Sequence, residues 1–177
     1  MSVIVSLTST SSRLAVLRFT LLSLLEQNLS ADRIVLCISK EPYLADQGIK
    51  EVPEWLVDME ASGALEIEWV RNTGPYRKLI PVFRTCSDED WIVTCDDDVI
   101  YGPQWLGCLV EDAKCHPDAV VCGRARVPAY TPWGKRQSYL NWPLASPGSQ
   151  GKHLLPTGIS GVLYRKNLLS DLVMYSD

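Results

Sequence analysis

The stretch Trp91-Ile92-Val93-Thr94-Cys95-Asp96-Asp97-Asp98-Val99-Ile100-Tyr101 sets the fold and points to the chemistry. Its apolar first half reads as a buried strand, and its C-terminal end delivers three consecutive carboxylates. Adjacent acids repel one another unless water, a cation or a basic ligand sits among them. In open α/β sheets, ligands bind beyond the carboxyl ends of the strands. A divalent Mg²⁺ or Mn²⁺ held by oxygen ligands and shared with a phosphorylated substrate meets both conditions. The alternative is a solvated acidic turn, and the hydrophobicity of the strand argues against it.

Working outward from this stretch, short apolar runs alternate with helical patterns. Val3 to Leu7 predicts a buried strand, followed by a polar turn over Thr8 to Ser12. Leu14, Leu17, Leu21, Leu24 and Leu25 recur at helical spacing, with Ser12 as the expected N-cap and Asn28 near the end. Ile34 to Ile38 is a second strand, and Pro53-Glu54-Trp55-Leu56 opens a helix. Leu65, Ile67 and Trp69 alternate with Glu66 and Glu68, as on a strand that is half exposed or near a sheet edge. Arg77 to Thr85 predicts a helix leading into the acidic strand, and Pro103 starts another that carries Trp105, Leu106, Leu109 and Val110. Ala119 to Cys122 and Ile159 to Tyr164 read as strands, and Lys166 to Val173 as a helix. Between them, Pro128 to Pro156 is rich in Pro, Gly, Ser and aromatics, has no clear period, and reads as a long functional loop or a small excursion rather than a linker. The alternation predicts an α/β fold, a mostly parallel sheet covered by helices on both faces, in a single domain over 1–177.

The 177 residues suffice for one domain with a real core. A net charge of −4 does not point to nucleic acid, or to a strongly anionic membrane surface, as a partner. Met1 to Leu7 has no basic leader pattern, and no apolar run approaches the ~20 residues of a membrane span. Six cysteines occur, at 37, 86, 95, 108, 115 and 122, with no CxxC pair. Cys108 and Cys115 fall on one face of a helix about 10 Å apart, too far for a disulfide. All six are expected as buried free thiols of a reducing cytoplasm.

The chain resembles glycosyltransferases of the GT-A fold, and in particular the family-two-like bacterial transferases that build surface polysaccharides. The resemblance rests on Ser6-Leu7-Thr8-Ser9 with Arg13, Ser23-Leu24-Leu25-Glu26-Gln27, Ile34-Val35-Leu36, Lys78-Leu79, Asp96-Asp97-Asp98-Val99, and Gly158-Ile159-Ser160-Gly161-Val162-Leu163-Tyr164. It implies a Rossmann-like sheet and a metal-dependent transfer of a sugar from a nucleotide-sugar, with inversion. It also implies roles. Thr8 and Arg13 lie near the base or the diphosphate, and Lys78 near the nucleotide. Asp96 or Asp97 faces the ribose. Asp98 ligates the metal, Mn²⁺ or Mg²⁺, with Asp96 and His153 as further candidate ligands. Gly158 and Gly161 belong to an acceptor-side loop. The implied partners are a nucleotide-sugar, with uridine as the base the family suggests, and a saccharide or lipid-linked acceptor. A lipid-linked acceptor allows peripheral contact with the inner face of a membrane.

Each role has a plainer counterpart. Lys78 and Arg13 can be solvated surface residues, Gly158 to Gly161 an ordinary turn, and His153 a solvated loop histidine. Trp133, Tyr139 and Trp142 can stack on a sugar or form the private core of their loop. The chain departs from the family pattern at its end. An inverting transferase needs an Asp or Glu as general base. After Tyr164 only Asp171 and Asp177 remain, and neither sits in the family context. Asp171 is thus a weak candidate, and the C-terminal part of a catalytic domain is expected to be missing. Two other readings compete. One is a truncated or degenerate GT-A domain that binds metal and nucleotide without turnover. The other is a haloacid-dehalogenase-type phosphatase, whose Asp-x-Asp also follows an apolar strand.

Overall fold

The computed structural model describes residues 1–169. Strands β1 (Val3–Thr8), β2 (Arg33–Ile38), β3 (Glu66–Trp69) and β4 (Trp91–Thr94) form the parallel part of a six-stranded sheet. Strand β8 (Val162–Arg165) runs antiparallel between β4 and β5 (Val121–Cys122), giving the order β3-β2-β1-β4-β8-β5. Beside this sheet lies a two-stranded ladder of β6 (Ala125–Arg126) and β7 (Leu155–Pro156). The helices are α1 (Leu14–Leu25), α2 (Glu54–Ala61), α3 (Ile80–Thr85) and α4 (Trp105–Cys115).

The central strands are apolar on both sides because both sides are covered. Val3, Val5 and Leu7 of β1 pack with Leu17, Leu21 and Leu24 of α1 and Leu106 and Leu109 of α4. On the other face, Ile4, Val35 and Ile92 pack against Val82 and Phe83 of α3. The half-exposed β3 lies at a sheet edge, as its alternation predicts. From β1 the chain steps outward to β2 and β3, then returns to place β4 on the other side of β1. The carboxyl ends of β1 and β4 therefore flank the point where the strand order reverses, the crevice in which such sheets bind ligands.

Several local expectations are corrected. The N-cap position of α1 is Arg13, not Ser12, and carries no side-chain cap; the Ser12 hydroxyl pairs with Thr10 instead. The helix expected over Arg77 to Thr85 is split into a 3₁₀ turn, Gly74–Lys78, and α3. Pro81, without an N–H, can sit only in the first turn of a new helix. The strand expected from Ile159 is a 3₁₀ turn over Gly158–Ser160, followed by β8 after Gly161, whose φ of 80° suits only glycine. Strand β5 is confined to Val121–Cys122. Lys166–Leu168 forms a 3₁₀ turn that ends at the extended Leu169, and residues 170–173 of the expected helix lie outside the described residues. Cys37, Cys86 and Cys95 are buried, but Cys108 and Cys115 are exposed on the outer face of α4 and Cys122 is half-buried. Among the described residues, no helix is long and apolar enough to cross a membrane.

Candidate active site

The repulsion posed by three adjacent acids is met by the chain's own cations. Asp96 accepts a hydrogen bond from Lys78 Nζ at 2.6 Å. Asp97 is 4% exposed and accepts from Ser9 Oγ at 2.6 Å and Arg13 Nη1 at 2.8 Å. Asp98, half exposed, accepts from Arg13 Nη2 at 3.0 Å. One guanidinium thus spans two neighbouring carboxylates, and Asp97, foremost, keeps the Arg13 pKa above its ordinary value. Lys78 is not a solvated lysine, since its side chain is only 16% exposed. Arg13 is half exposed yet committed to the acidic turn. Of the two acids expected to face a ribose, Asp97 has both oxygens engaged inside the protein, whereas Asp96 retains more access.

A buried arginine outside the predicted set organises the β1 side. Arg77, 2% exposed, donates Nε to Thr8 Oγ1 and Nη2 to the Ser9 carbonyl at 2.6 Å. The same Nη2 reaches Asp46 Oδ2 at 3.1 Å. Burial alone would raise the Asp46 pKa. The Ser11 N–H, the Arg77 guanidinium and the Gly48 N–H outweigh it and hold the carboxyl below its ordinary value. Arg77 Nη1 is buried with no partner among the described residues. Arg77 ties the loop after β1 to the loop after β2, and Thr8 is thereby held from below. The sequence offered no signal for this role beyond the adjacency of Arg77 to Lys78.

The glycine turn meets the acidic strand end directly. A Cβ built on Gly158 would lie 2.8 Å from Asp96 Oδ1 and 3.2 Å from Lys78 Nζ. Tyr101 receives the Asp96 N–H on its hydroxyl at 3.0 Å and donates to the Ile159 carbonyl at 3.3 Å. Burial pushes the Tyr101 pKa far up, so the phenol keeps the proton it donates. Trp105 Nε1 donates to the Ser160 carbonyl at 2.9 Å. The motif Ser23 to Gln27 acts from the other side. Ser23 Oγ accepts the Tyr101 N–H at 3.0 Å, and Gln27 bridges the Gly102 carbonyl at 2.8 Å and the Leu106 N–H at 3.0 Å. Thr20 Oγ1 donates to the Asp97 carbonyl at 2.9 Å. Helix α1 thereby fixes the backbone that follows the carboxylates.

Thr8, Arg13, Lys78, Asp96, Asp97, Asp98 and Gly158 are thus brought to one place, with Gly161 behind them against the Trp105 ring. His153 is exposed on the loop that precedes β7, and Asp171 lies outside the described residues. Trp142 is buried edge-on to Tyr139 and donates Nε1 to the Gln137 carbonyl, so these two rings form a core of their own loop. Among the described residues, no three His, Cys, Asp or Glu side chains converge as a metal cage. The donor set still suits Mg²⁺ or Mn²⁺. Such ions take one or two carboxylates and complete their shell with water and substrate phosphates, and Asp98 offers an accessible carboxylate beside the less accessible Asp96.

A family model described as glycosyl transferase family 2 matches residues 2–170. No curated protein matches the chain. Among solved structures, residues 1–349 of S. aureus TarS are similar, with a TM-score of 0.57 and 16% identity, over 97% of this chain and 49% of that one. The chain therefore spans about half the length of that relative. The 4-diphosphocytidyl-2C-methyl-D-erythritol synthase of Anaerococcus prevotii gives a TM-score of 0.55 and 13% identity, over 94% of this chain and 71% of that one. The 2-C-methyl-D-erythritol 4-phosphate cytidylyltransferase of Francisella tularensis gives 0.51 and 14%, over 94% and 73%. At these identities the structural likenesses establish the fold.

Proposed function

The chain belongs to glycosyl transferase family 2, and on that premise we propose that it binds a nucleotide-sugar at the β1–β4 crevice and transfers the sugar, with inversion, to a saccharide or lipid-linked acceptor. The observation that carries this is the placement of Asp96, Asp97 and Asp98 at the carboxyl end of β4, each already matched to a basic side chain. The haloacid-dehalogenase reading is dropped, because the family match runs through nearly the whole chain. Two structural neighbours are named for cytidylyl or diphosphocytidyl chemistry, which is in keeping with a nucleotide pocket on such a sheet.

The residues divide the work by charge and access. Thr8, held by Arg77, and the loop that follows it line the side of the crevice where the base would sit. Asp96 is the carboxylate with access to a ribose hydroxyl. Asp98 is the ligand for Mn²⁺ or Mg²⁺, with Asp96 as its neighbour. When bound, such an ion stabilises negative charge on the departing nucleoside diphosphate. Arg13 and Lys78, paired with these acids, are the cations that would meet the negatively charged diphosphate. Asp97 is a positioning residue, locked between Ser9 and Arg13. Gly158, lacking a Cβ, lets the turn before β8 lie directly against the Asp96–Lys78 pair.

One observation favours a second reading, a domain that binds nucleotide without turnover. All four carboxylates gathered here, Asp46, Asp96, Asp97 and Asp98, are bound to Arg or Lys. A general base must meet the acceptor hydroxyl directly, and each of these carboxylates already engages one of the chain's own cations. The test is a panel of nucleotide-sugars assayed for nucleoside diphosphate release, with and without saccharide acceptors. Acceptor-dependent release by the chain, lost in Asp98→Asn, supports transfer. Nucleotide binding without release from any donor supports the second reading.

A further inference from the structure

The net charge of −4 hides a strong segregation. From Gly123 to Thr157 the chain contains Arg124, Arg126, Lys135, Arg136 and Lys152 and not one Asp or Glu. This excursion leaves the sheet at the end of β5 and returns at the Gly158 turn. Strand β5 runs in the same direction as β4, since both pair antiparallel with β8, so the excursion stands at the same end of the sheet as the acidic motif.

The excursion is built and held. Its base is the β6–β7 ladder, and its small interior is Trp142 against Tyr139, with the Arg126 guanidinium stacked 4.8 Å over the Tyr139 ring. From this base a tight hairpin projects. Gln137 N–H bonds the Ala129 carbonyl, Thr131 N–H bonds the Lys135 carbonyl, and Gly134 N–H bonds the Thr131 carbonyl. Gly134 takes the positive φ of 76° that such a turn requires. The turn presents Trp133, which is 92% exposed. In the following 3₁₀ turn, Tyr139–Asn141, Leu140 is 82% exposed. Tyr130 and Leu144 are also exposed, and so are Lys135, Arg136 and Lys152, none of which pairs with an acid among the described residues.

We propose that this excursion is a membrane-docking surface that takes an anionic phospholipid bilayer, with Trp133 and Leu140 entering the headgroup region and Lys135, Arg136 and Lys152 meeting lipid phosphates. Tryptophan favours the bilayer interface, and basic residues beside an exposed apolar tip are drawn to anionic lipid. A soluble saccharide explains the surface less well. Tyr130 and Trp133 could stack on sugar rings, but the exposed Leu140 and Leu144 offer nothing to hydroxyl groups. Rigid presentation also matters, because a turn fixed by its own hydrogen bonds loses little entropy on docking. The inference goes beyond the nucleotide site and stands on residues that site does not use. Docked in this way, the end of the sheet that carries the crevice would lie close to the lipid surface.

The experiment is co-sedimentation of the whole chain, without nucleotide, with phosphatidylcholine vesicles and with vesicles holding about 30% phosphatidylglycerol. The expected result is binding to the anionic vesicles at least ~10-fold tighter than to the neutral ones, falling steeply with salt. Trp133→Ala with Leu140→Ser, both at exposed positions, should weaken it about 10-fold with the melting temperature unchanged. Lys135→Glu with Lys152→Glu should weaken it about as much. No preference for anionic vesicles, or binding indifferent to the Trp133 and Leu140 changes, overturns the proposal. Soluble polyphosphate bound as tightly, with the same sensitivity to both pairs of changes, would assign the surface to an anionic polymer instead. A concentration-dependent dimer abolished by Trp133→Ala with Leu140→Ser, without vesicle binding, would assign it to a second copy.

Discussion

Gly158 lies against Asp96 so closely that a methyl group on its Cα would stand 2.8 Å from the Asp96 carboxylate. The turn before β8 and the strand end of β4 are thus one surface, although 62 residues separate the two in sequence. The atoms that Gly158→Ala would strike are the mobile ends of Asp96 and Lys78, so the fold should tolerate the change within about 0.5 kcal/mol. Nucleotide affinity should fall roughly 10-fold, because the ion pair must move. Gly161→Ala should behave in the opposite manner. It forces a φ of 80° on alanine and drives a methyl into the Trp105 ring at 2.5 Å, costing about 2–3 kcal/mol of stability. Denaturant unfolding and nucleotide titration on the same two variants separate these effects.

Arg77 and Asp46 form a buried pair, with side chains 3% and 7% exposed. Removing one partner strands the other, so Arg77→Ala should cost about 3–5 kcal/mol. It also frees Thr8 and the Ser9 carbonyl. Arg77→Lys should recover only part of this, since an ammonium cannot span Thr8, Ser9 and Asp46 together. Urea midpoints for the two variants check the order.

The acid limb of stability follows from Asp46. Its folded pKa lies below the ordinary value near 3.8, so its contribution is complete above that pH and is lost as pH falls through the lower folded value. Glu66, held by Arg33, and Asp90, whose burial is outweighed by the Ser2 and Ser87 N–H groups, shift in the same direction. The chain should lose stability progressively below about pH 4. Asp46→Asn should be less stable at neutral pH yet show a shallower decline in acid. Thermal melts from pH 7 down to pH 3 read both.

The thiols sort by burial. Cys108 and Cys115 are exposed and should react rapidly with a thiol reagent at pH 8. Burial pushes Cys37 and Cys95 up to about 12, so neither presents a thiolate. These two, with the buried Cys86, should react only on unfolding. A reactive Cys95 in the folded chain would mean that the strand bearing the acidic motif is not packed as described.

The sheet was legible because its strands are short, apolar and bounded by polar turns, and α1 because Leu17, Leu21 and Leu24 recur at helical spacing, although Val16, Phe19, Leu22 and Leu25 between and beyond them stay exposed. Lys78, Arg13 and the glycine turn were found through resemblance, and the structure supplies the contacts that bring them to the acids. Arg77 was not legible. Its neighbours Thr8 and Asp46 lie 69 and 31 residues away, and nothing local distinguishes it from a surface arginine. The helix expected over Arg77 to Thr85 failed at Pro81, where the missing N–H outweighed a continuous apolar pattern. The basic excursion escaped notice because a charge summed over the whole chain averages away its distribution.

The central claim, a metal-assisted nucleoside diphosphate site built on Asp98, is tested most directly by calorimetric titration of the chain with UDP and GDP, with Mn²⁺ present and then with chelator. The account predicts binding of one nucleotide per chain that needs the metal and is weakened at least about 10-fold in Asp98→Asn, with the fold intact. A folded chain that binds neither nucleotide, or binds with affinity unchanged by chelator and by Asp98→Asn, would contradict it.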